Sequence, residues 1–564
     1  MEALDWLVIG VFFLALIGII VWVVRQKQND SADYFLGGRD ATWLAIGASI
    51  FASNIGSEHL IGLAGAGASS GMAMAHWEIQ GWMILILGWV FVPFYTRSMV
   101  YTMPEFLERR YNPQSRTILS VISLVSYVLT KVAVTVYAGG LVFQQVFGIK
   151  ELWGIDFFWI AAIGLVVLTA LYTIFGGMKS VLYTSVLQTP ILLLGSLIIL
   201  VLGFKELGGW DEMMRVCGAV TVNDYGDTMT NLIRSNDDAN FPWLGALIGS
   251  AIIGFWYWCT DQFIVQRVLS GKNEMEARRG TIFGAYLKLL PVFLFLIPGM
   301  IAFALHQKYI GAGGEGFLPM LANGTANADA AFPTLVAKLL PAGVKGLVVC
   351  GILAALMSSL ASLFNSSAML FTIDFYKRFK PETPEKKLVG IGQIATIVIV
   401  VLGILWIPIM RSVGDVLYTY LQDVQSVLAP GIAAAFLLGI CWKRTSAQGG
   451  MWGLISGMVI GLTRLGAKVY YSNAGEVADS TFKYLFYDMN WLFFCGWMFL
   501  FCIIVVIVVS LATKAPSEEK IQGLVFGTST PAQLAETRAS WNHWDIIHTV
   551  IILGITAAFY IYFW

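Results

Sequence analysis

The sequence is poor in charge. Only 12% of its 564 residues are Asp, Glu, Lys or Arg, whereas 57% are hydrophobic. A soluble globular protein carries about 25% charged residues, because its surface must be solvated. Half that density over this length leaves too little polar surface for contact with water on all sides. The composition therefore excludes an ordinary soluble protein.

Other features are missing too. Lys plus Arg and Asp plus Glu number 35 each, so the net charge is +0 and no bulk field indicates a nucleic acid or an anionic partner. The six cysteines show no metal-type spacing, and all but Cys217 lie in apolar segments, as small buried hydrophobes do. We find no Walker loop, no paired metal-binding histidines and no nucleophile elbow. These absences argue against an enzyme and against an ATP-driven pump.

The sequence does have long apolar segments. A helix needs about 20 mostly apolar residues to cross a bilayer. Fourteen segments are candidates: 4–24, 41–70, 76–101, 118–146, 154–176, 182–203, 241–268, 282–306, 336–375, 389–411, 415–441, 450–470, 492–512 and 545–563. The first lacks a basic leader and a small-residue cleavage site, so we expect a retained helix rather than a signal peptide. The fold class predicted is an all-α integral membrane protein with about 14 transmembrane helices.

The loops between these segments indicate an orientation. Lys and Arg concentrate in one alternate set of loops, near residues 25–39, 97–116, 267–279, 377–387 and 443–444. Short loops rich in Lys and Arg remain in the cytoplasm. An even number of spans then places both termini outside. We expect a multi-pass protein of the plasma (inner) membrane with both termini extracytoplasmic.

Two of the predicted spans turn polar in the middle. Residues 53–59 (SNIGSEH) interrupt span 41–70, and residues 256–262 (WYWCTDQ) interrupt span 241–268. Unwound backbone at membrane depth is tolerated only where it lines a cavity. The alternatives are small-residue helix packing for the first cluster and an interfacial aromatic belt for the second. Since the two spans lie five helices apart, interruptions at matching places in inverted halves indicate the central site of a transporter.

A third cluster is rich in hydroxyl groups. Span 336–375 contains Ser358, Ser359 and Ser362, followed by residues 365–367 (NSS). Hydroxyls at this density act as helix-packing contacts in many membrane proteins. They also supply neutral oxygen ligands for a hard monovalent cation, especially beside unwound carbonyl groups. This cluster is a candidate sodium site.

Lone polar residues occur in further spans. Glu78 and Lys288 would each cost about 2.5–3.5 kcal/mol at the bilayer centre unless they face a partner or a wet cavity, although snorkelling to the surface is an alternative. Tyr418 and Gln422 share one helix face, with Asp423 beside them. Together with the two interruptions, these residues predict a cavity with aromatic walls and hydrogen-bonding amides. Such a cavity suits a sugar, which has an apolar face and hydroxyl edges, and it also suits an amino acid.

The order and spacing of these stretches resemble the sodium:solute symporter family, most closely its sodium/glucose (galactose) cotransporter branch. The stretches that carry the resemblance are 33–39 (DYFLGGR), 52–62 (ASNIGSEHLIG), 257–267 (YWCTDQFIVQR), 354–367 (AALMSSLASLFNSS) and 428–444 (LAPGIAAAFLLGICWKR). The resemblance covers essentially the whole chain. It implies a leucine-transporter-type core, in which two five-helix repeats have inverted orientations.

The resemblance also implies a division of the chain. Residues 41–203 would form the first five-helix repeat and residues 241–441 the second. The segment 204–240 would be an extracellular loop between them. Residues 4–24 would be an N-terminal peripheral helix, and residues 450–564 would form the C-terminal peripheral helices.

Site residues follow from the resemblance position by position. The implied sodium ligands are the backbone carbonyls of Ala52, Ile55 and Ala355 and the hydroxyls of Ser358 and Ser359. The implied sugar contacts are Asn54, His59, Glu78, Tyr257, Trp258, Lys288 and Gln422. Tyr257 would be an inner gating ring with Asn54 as its partner. The resemblance places Lys131 where a bacterial galactose carrier has a gate-side asparagine.

The ion stoichiometry follows from departures from the family pattern. Relatives that move two sodium ions use an aspartate in the sixth span and extra hydroxyls on the serine-rich helix. Here the matching positions are Ser185 and Ala361. A cation inside a membrane protein needs charge or several oxygens to replace its water. We therefore expect one sodium ion per sugar.

The sequence thus predicts a secondary active transporter that takes up a glucose- or galactose-like sugar with sodium by alternating access. Its expected partners are the small sugar, Na+ and the lipid bilayer, with no nucleic acid and no obligate protein partner. No cofactor is expected besides Na+ as the coupling ion. Two alternatives remain: a sodium symporter for an amino acid, sialic acid, inositol or vitamin, and a sodium-dependent sensor or channel.

Overall fold

The computed structural model describes residues 1–26, 30–56, 58–321, 324–413, 417–473 and 478–564. Within these ranges it describes the side chains of all but residues 129, 130, 145, 409–413, 417–421, 423 and 473. Ser57 and the side chains of Tyr418 and Asp423, which belong to the predicted polar clusters, therefore lie outside the described residues.

The chain is helical along most of its length. The α-helices are Ala3–Val24, Ser31–Leu36, Trp43–Asn54, Ala64–Ser70, Ala75–Glu78, Gly81–Ile86, Val92–Ser98, Met103–Arg110, Pro113–Ser126, Ala133–Phe147, Phe157–Leu207, Trp210–Gly218, Trp243–Gly254, Gln262–Leu269, Glu274–Lys288, Ile297–Gly311, Ala331–Leu339, Val344–Met369, Lys377–Phe379, Glu385–Val413, Leu417–Cys441, Ala447–Asn473, Thr481–Lys483, Trp491–Ala512, Pro531–Ala539 and His543–Tyr562. Single π-helical turns cover Glu58–Leu63, Leu87–Phe91, Tyr127–Val132, Phe255–Thr260, Val292–Leu296, Leu370–Tyr376 and Tyr484–Asp488. Short 3₁₀ turns cover Gly37–Arg39, Gly71–Met74, Ala328–Ala330 and Glu518–Lys520. The strands Glu151–Leu152 and Ile155–Asp156 form a small antiparallel hairpin.

Many of these helices are long and apolar enough to cross a membrane. Among the described residues, ten helical stretches satisfy both conditions. Helical structure lies within all fourteen predicted segments, but breaks divide some of them into pieces shorter than a membrane crossing. Trp43–Asn54 and Ala133–Gln144 are apolar helices of this shorter kind. The prediction of a helical membrane protein is confirmed, and the number fourteen is not.

Two helices are interrupted at the predicted places. In the first broken span (residues 43–70) the helix ends at Asn54, Ile55 is extended (φ −78°, ψ 107°), and helical structure resumes at Glu58. In the second broken span (residues 243–269) Asp261 is extended (φ −76°, ψ 127°). The Asp261 carboxylate accepts a hydrogen bond from the backbone N–H of Phe263 and so caps the helix that follows. Each break frees backbone groups from intrahelical bonding.

One predicted boundary is wrong. The expected span 336–375 begins at Val344 in the structure, because Pro341 and Gly343 separate it from the helix Ala331–Leu339. Gly343 has φ 82°, a left-handed conformation that L side chains rarely adopt. The helix Val344–Met369, hereafter the serine-rich helix, is continuous and buried along most of its length.

The first broken span packs closely on the helix Ile297–Gly311 and on the turn that precedes it. A Cβ atom on Gly67 would lie 2.2 Å from the carbonyl oxygen of Leu296, and one on Gly299 would lie 1.9 Å from that of Ala64. Such distances leave no room for any side chain, so the two backbones are in direct contact. Close approach of this kind through small residues holds helices together in membranes.

The loop 204–240, whose local structure the sequence leaves open, contains the helix Trp210–Gly218. The backbone N–H of Met72 donates to the Met229 carbonyl at 2.8 Å. The Arg234 guanidinium donates to the carbonyl of Ser70. The loop therefore covers the turn that follows the first broken span.

The segment 513–543 is attached to the ends of several helices. The Phe526 N–H donates to the Ile440 carbonyl at 2.9 Å, and the Arg97 guanidinium donates to Ser529 Oγ at 3.0 Å. This segment therefore bridges the ends of helices that are far apart in sequence.

Candidate functional site

A small cavity lies between the two broken spans. Its lining comes from the first broken span, from residues 77–80, from the second broken span, and from the helices that contain residue 288 and residues 422–425. The lining residues are Asn54, Glu58, His59, Trp77, Glu78, Gln80, Ile253, Gly254, Tyr257, Trp258, Lys288, Gln422 and Gln425.

Three ionisable residues of the cavity form a network in which Lys288 and His59 both contact Glu78. Lys288 Nζ donates to Glu78 Oε2 at 2.6 Å and to Asn54 Oδ1 at 3.1 Å. His59 Nε2 lies 3.2 Å from the same Glu78 oxygen. All four side chains are buried. Because breaking a buried pair leaves an uncompensated charge, this network fixes the geometry of its members. Glu78 and Lys288 thus meet inside the protein and do not snorkel to its surface.

Aromatic residues form a second wall. Asn54 Nδ2 donates to Tyr257 Oη at 3.1 Å, and Trp258 Nε1 donates to Gln80 Oε1 at 3.2 Å. The rings of Tyr257 and Trp258 meet edge to face, with centroids 4.9 Å apart. Gln80 in turn donates to the Ser250 carbonyl at 2.8 Å. The hydrogen bonds hold the rings in place, so the apolar surface that they offer is rigid.

All seven side chains predicted as sugar contacts line this one cavity, which brings together residues from distant parts of the chain. They are Asn54, His59, Glu78, Tyr257, Trp258, Lys288 and Gln422.

Sequence reasoning missed four polar or aromatic lining residues. They are Glu58, Trp77, Gln80 and Gln425. A signal was available for two of them. Glu58 belongs to the polar cluster of the first broken span, and Gln425 follows Gln422 by three residues and so shares its helix face. Trp77 and Gln80 carried no comparable signal.

Some polar atoms of the lining lack a protein partner. Within the described part of the chain, Trp77 Nε1, His59 Nδ1 and Gln422 Oε1 are buried without a hydrogen bond. Buried polar groups are nearly always bonded, so each such atom requires an explanation. The indole N–H is a donor, and the amide oxygen is an acceptor. A ligand that satisfies both must itself accept and donate, as hydroxyl groups do.

The serine-rich helix packs against the first broken span through its hydroxyls. Ser362 Oγ lies 2.6 Å from Ser53 Oγ. Ser359 Oγ would lie 3.1 Å from a Cβ atom on Gly56 and so faces the break. The break begins at Ile55, one residue before Gly56, and Ala355 lies one turn before Ser359 on its helix.

The predicted sodium ligands therefore belong to the two segments that meet at this break. They are the carbonyls of Ala52, Ile55 and Ala355 and the hydroxyls of Ser358 and Ser359. The helix end at Asn54 leaves carbonyls of the last turn without intrahelical partners.

Ser185 lies beside this junction. Its hydroxyl donates to the Val181 carbonyl at 2.6 Å and lies 3.3 Å from Ser358 Oγ and 3.5 Å from Ser49 Oγ. The side chain brings a hydroxyl that is already bonded, and it brings no charge.

A second buried ion pair lies at the break of the second broken span. Lys131 Nζ donates to Asp261 Oδ2 at 2.6 Å, and Tyr127 Oη donates to the other carboxylate oxygen. Lys131 Nζ also lies 4.8 Å from the centroid of the Tyr257 ring, a cation–π distance. Sequence reasoning singled out Lys131 and placed Asp261 in the second polar cluster, but it did not pair the two residues. The pair links the second break to the Tyr257 ring, which lines the cavity.

Two broken membrane helices around a polar cavity, with a hydroxyl-bearing helix against one break, define a secondary transporter. The family model of the sodium:solute symporter family matches residues 34–457. The chain belongs to the sodium:solute symporter family.

Relatives agree with this assignment, and a solved structure shares the fold. The chain is 37% identical to sodium/myo-inositol cotransporter 2 of Mus musculus, over 94% of this chain and 80% of that protein. It is 36% identical to sodium/glucose cotransporter 4 of Danio rerio, over 92% of this chain and 80% of that protein. The substrate-bound outward-open structure of a Na+-coupled sialic acid symporter matches with a TM-score of 0.73 at 21% identity, over 92% of this chain and 99% of that one.

The protein is therefore a sodium-coupled solute symporter, a multi-pass membrane protein and not an enzyme. The family resemblance drawn from the sequence is confirmed. The sialic acid symporter shares the fold with this chain, and at 21% identity it indicates nothing about the solute.

The buried Lys131–Asp261 pair generates a prediction about stability. Asp261→Asn keeps a capping oxygen but leaves Lys131 charged and unpaired, which costs about 3–5 kcal/mol for a buried pair. Lys131→Met leaves the carboxylate unpaired in the same way. We expect each single variant to melt well below the parent in detergent, and the double variant to recover much of the loss. Melting temperatures that fall additively in the double variant would contradict a direct coupling between the two groups.

Proposed function

We propose that the protein takes up a neutral polyhydroxylated ring, a hexose or a cyclic polyol, together with sodium by alternating access. One observation carries this proposal. The fixed charges Glu78 and Lys288 are paired with each other, while the unbonded lining atoms include both a donor, Trp77 Nε1, and an acceptor, Gln422 Oε1. Hydroxyl groups meet both needs, and the wall of Tyr257 and Trp258 suits the apolar face of a ring.

An anionic or zwitterionic solute fits this cavity less well than a neutral one. An anionic or zwitterionic solute needs a cationic clamp for its carboxylate. Lys288 is the lysine that lines the cavity, and it is already bound by Glu78 and Asn54. The names of the relatives, which are myo-inositol and glucose cotransporters, support a polyhydroxylated solute. Within this class, we propose a glucose- or galactose-like sugar first, with inositol as the alternative.

We also propose the finer architecture of the family. The core would be two inverted five-helix repeats, residues 41–203 and 241–441, within fourteen spans. The interruptions at Ile55 and Asp261, each in the first helix of its repeat, support this assignment. We propose that the loops rich in Lys and Arg lie in the cytoplasm, which places both termini outside the plasma membrane.

Sodium would bind at the break of the first broken span. Its proposed ligands are the carbonyls of Ala52, Ile55 and Ala355 and the hydroxyls of Ser358 and Ser359. An ion bound there would hold the broken span against the serine-rich helix, and His59 and Asn54 of the same span reach the solute cavity. Coupling requires both ligands to bias one conformational equilibrium, and the shared span provides the connection.

The driving force suffices for accumulation. One sodium ion that enters down about 100 mV releases about 2.3 kcal/mol. A tenfold concentration gradient adds about 1.4 kcal/mol. Together they sustain a solute accumulation of several hundred-fold.

Tracer uptake into proteoliposomes tests the proposed function. We expect labelled hexose or myo-inositol to accumulate above the external concentration only with an inward sodium gradient, whereas a zwitterionic amino acid and sialic acid do not accumulate. Potassium in place of sodium is the control. Sodium-driven accumulation of an amino acid or sialic acid alone would refute the assignment of the solute, and downhill flux that no gradient concentrates would indicate a channel.

The sodium site generates its own prediction. Ser359→Ala removes one uncharged ligand where no carboxylate compensates, so we expect the sodium concentration for half-maximal uptake to rise about tenfold or more. This estimate treats the ligand as one charge-assisted hydrogen bond of about 1.5–3 kcal/mol. Ser456→Ala, on the helix Ala447–Asn473 outside the site, is the matched control. An unchanged sodium dependence in Ser359→Ala would exclude this residue as a ligand.

The proposed stoichiometry is one sodium ion per solute. Ser185 brings no carboxylate, and Ala361 brings no hydroxyl. A second ion site like that of some relatives would therefore lack much of the charge and oxygen that must replace the water around the ion. Reversal potentials measured over a range of sodium and solute gradients give the ratio directly. We expect one positive charge for each solute molecule. A ratio of two would mean that water or Thr184 completes a second site.

A further inference from the structure

Glu58 lines the cavity, and among the described residues its side chain has no bonded partner. It begins the helical turn that follows the first break, and its side chain is partly exposed to the cavity. Within the described part of the chain its carboxylate forms no hydrogen bond and no ion pair. Glu78, the other lining carboxylate, is instead bound by Lys288 and His59.

The neighbouring cations are already occupied. Lys288 is held by Glu78 and Asn54, and Lys131 is held by Asp261. A carboxylate offers two oxygens with about four lone-pair sites, and even the protonated form keeps an acceptor oxygen. Glu58 therefore holds the largest unused hydrogen-bond acceptor capacity among the lining side chains.

A carboxyl group that stays unpaired in an enclosed site is costly. This cost disappears when a solute donates hydroxyl hydrogen bonds to it, and bonds to a charged acceptor are among the strongest. A solute that bears its own carboxylate would instead meet a like charge, beside lysines that other groups already bind.

We infer that Glu58 is a specificity-determining residue, whose carboxylate accepts hydroxyl groups of the transported ring and turns away ring solutes that carry an acid group. This inference rests on the proposed function and deepens it. Removing the bonded hydroxyl from the solute leaves Glu58 unpaired again. Sites built to bond a hydroxyl reject analogues that lack it far more strongly than apolar pockets do.

The test uses the full-length protein in proteoliposomes with an inward sodium gradient. The solutes are the preferred hexose or myo-inositol, its mono-deoxy analogues, and a uronic acid with the same ring. The variants are Glu58→Gln, which keeps the size and one acceptor oxygen, and Glu58→Ala. Gln80→Leu is the matched control, because both ends of that cavity amide are already bonded within the protein.

We expect the parent to discriminate against at least one deoxy analogue by tenfold or more in uptake at low concentration. In Glu58→Ala the ratio of solute uptake to analogue uptake should fall to within about threefold, because the missing hydroxyl of the analogue then costs no hydrogen bond. Glu58→Gln should give an intermediate ratio and admit the uronic acid more readily than the parent does. Gln80→Leu should lower the uptake of solute and analogue alike and leave the ratio intact.

Three results would overturn the inference: the parental ratio in Glu58→Ala, no discrimination by the parent at any ring position, or a change in sodium half-saturation alone in Glu58→Gln. Size-exclusion profiles of Glu58→Gln, which is nearly isosteric, establish that the variant is folded. If the parent itself shows no sodium-driven uptake of any polyol, the proposed function fails, and the inference fails with it. Polyol uptake by the parent with unchanged ratios in the variants would overturn the inference alone.

Discussion

Backbone N–H and C=O groups within a bilayer must be bonded inside the protein or face a wet cavity. The candidate site of this protein depends on that constraint, because two of its helices end early, within their spans. At Ile55 and Asp261 the chain becomes extended, so carbonyl and N–H groups become free for other partners. At the second break, Asp261 caps the following helix and pairs with Lys131. At the first, the hydroxyl of Ser359 faces the opening. Both broken spans contribute residues to the lining of the cavity, which lies between them.

The arrangement explains how one structural element can respond to two ligands. The first broken span contributes Asn54 and His59 to the cavity and ends its first helix at the proposed sodium site. Only a few residues of this span therefore separate the solute cavity from the proposed sodium site. An ion bound at the proposed site would order the break and, with it, the side chains of the same span that line the cavity. Linkage of this kind needs no long pathway, because both ligands bias the same segment.

Local sequence was sufficient for some features and not for others. The two breaks could be predicted because SNIGSEH and WYWCTDQ are polar within otherwise apolar spans. The pairing of Glu78 with Lys288 joins residues 210 positions apart, and only tertiary packing, or the family resemblance, brings them together. The start of the serine-rich helix was missed because Pro341 and Gly343 lie within an apolar run. The partner of Lys131 and the free carboxyl of Glu58 depend on which neighbours are already bonded, and spacing alone does not reveal this.

The central claim is that sodium and a polyhydroxylated solute act on one conformational equilibrium through the first broken span. The most direct measurement is the affinity of the purified protein for sodium with and without saturating solute, and the affinity for solute with and without saturating sodium. Linkage requires that each ligand tighten the other by the same factor. We predict a common factor of at least about fivefold in both directions. Affinities that are independent of the other ligand would contradict the account.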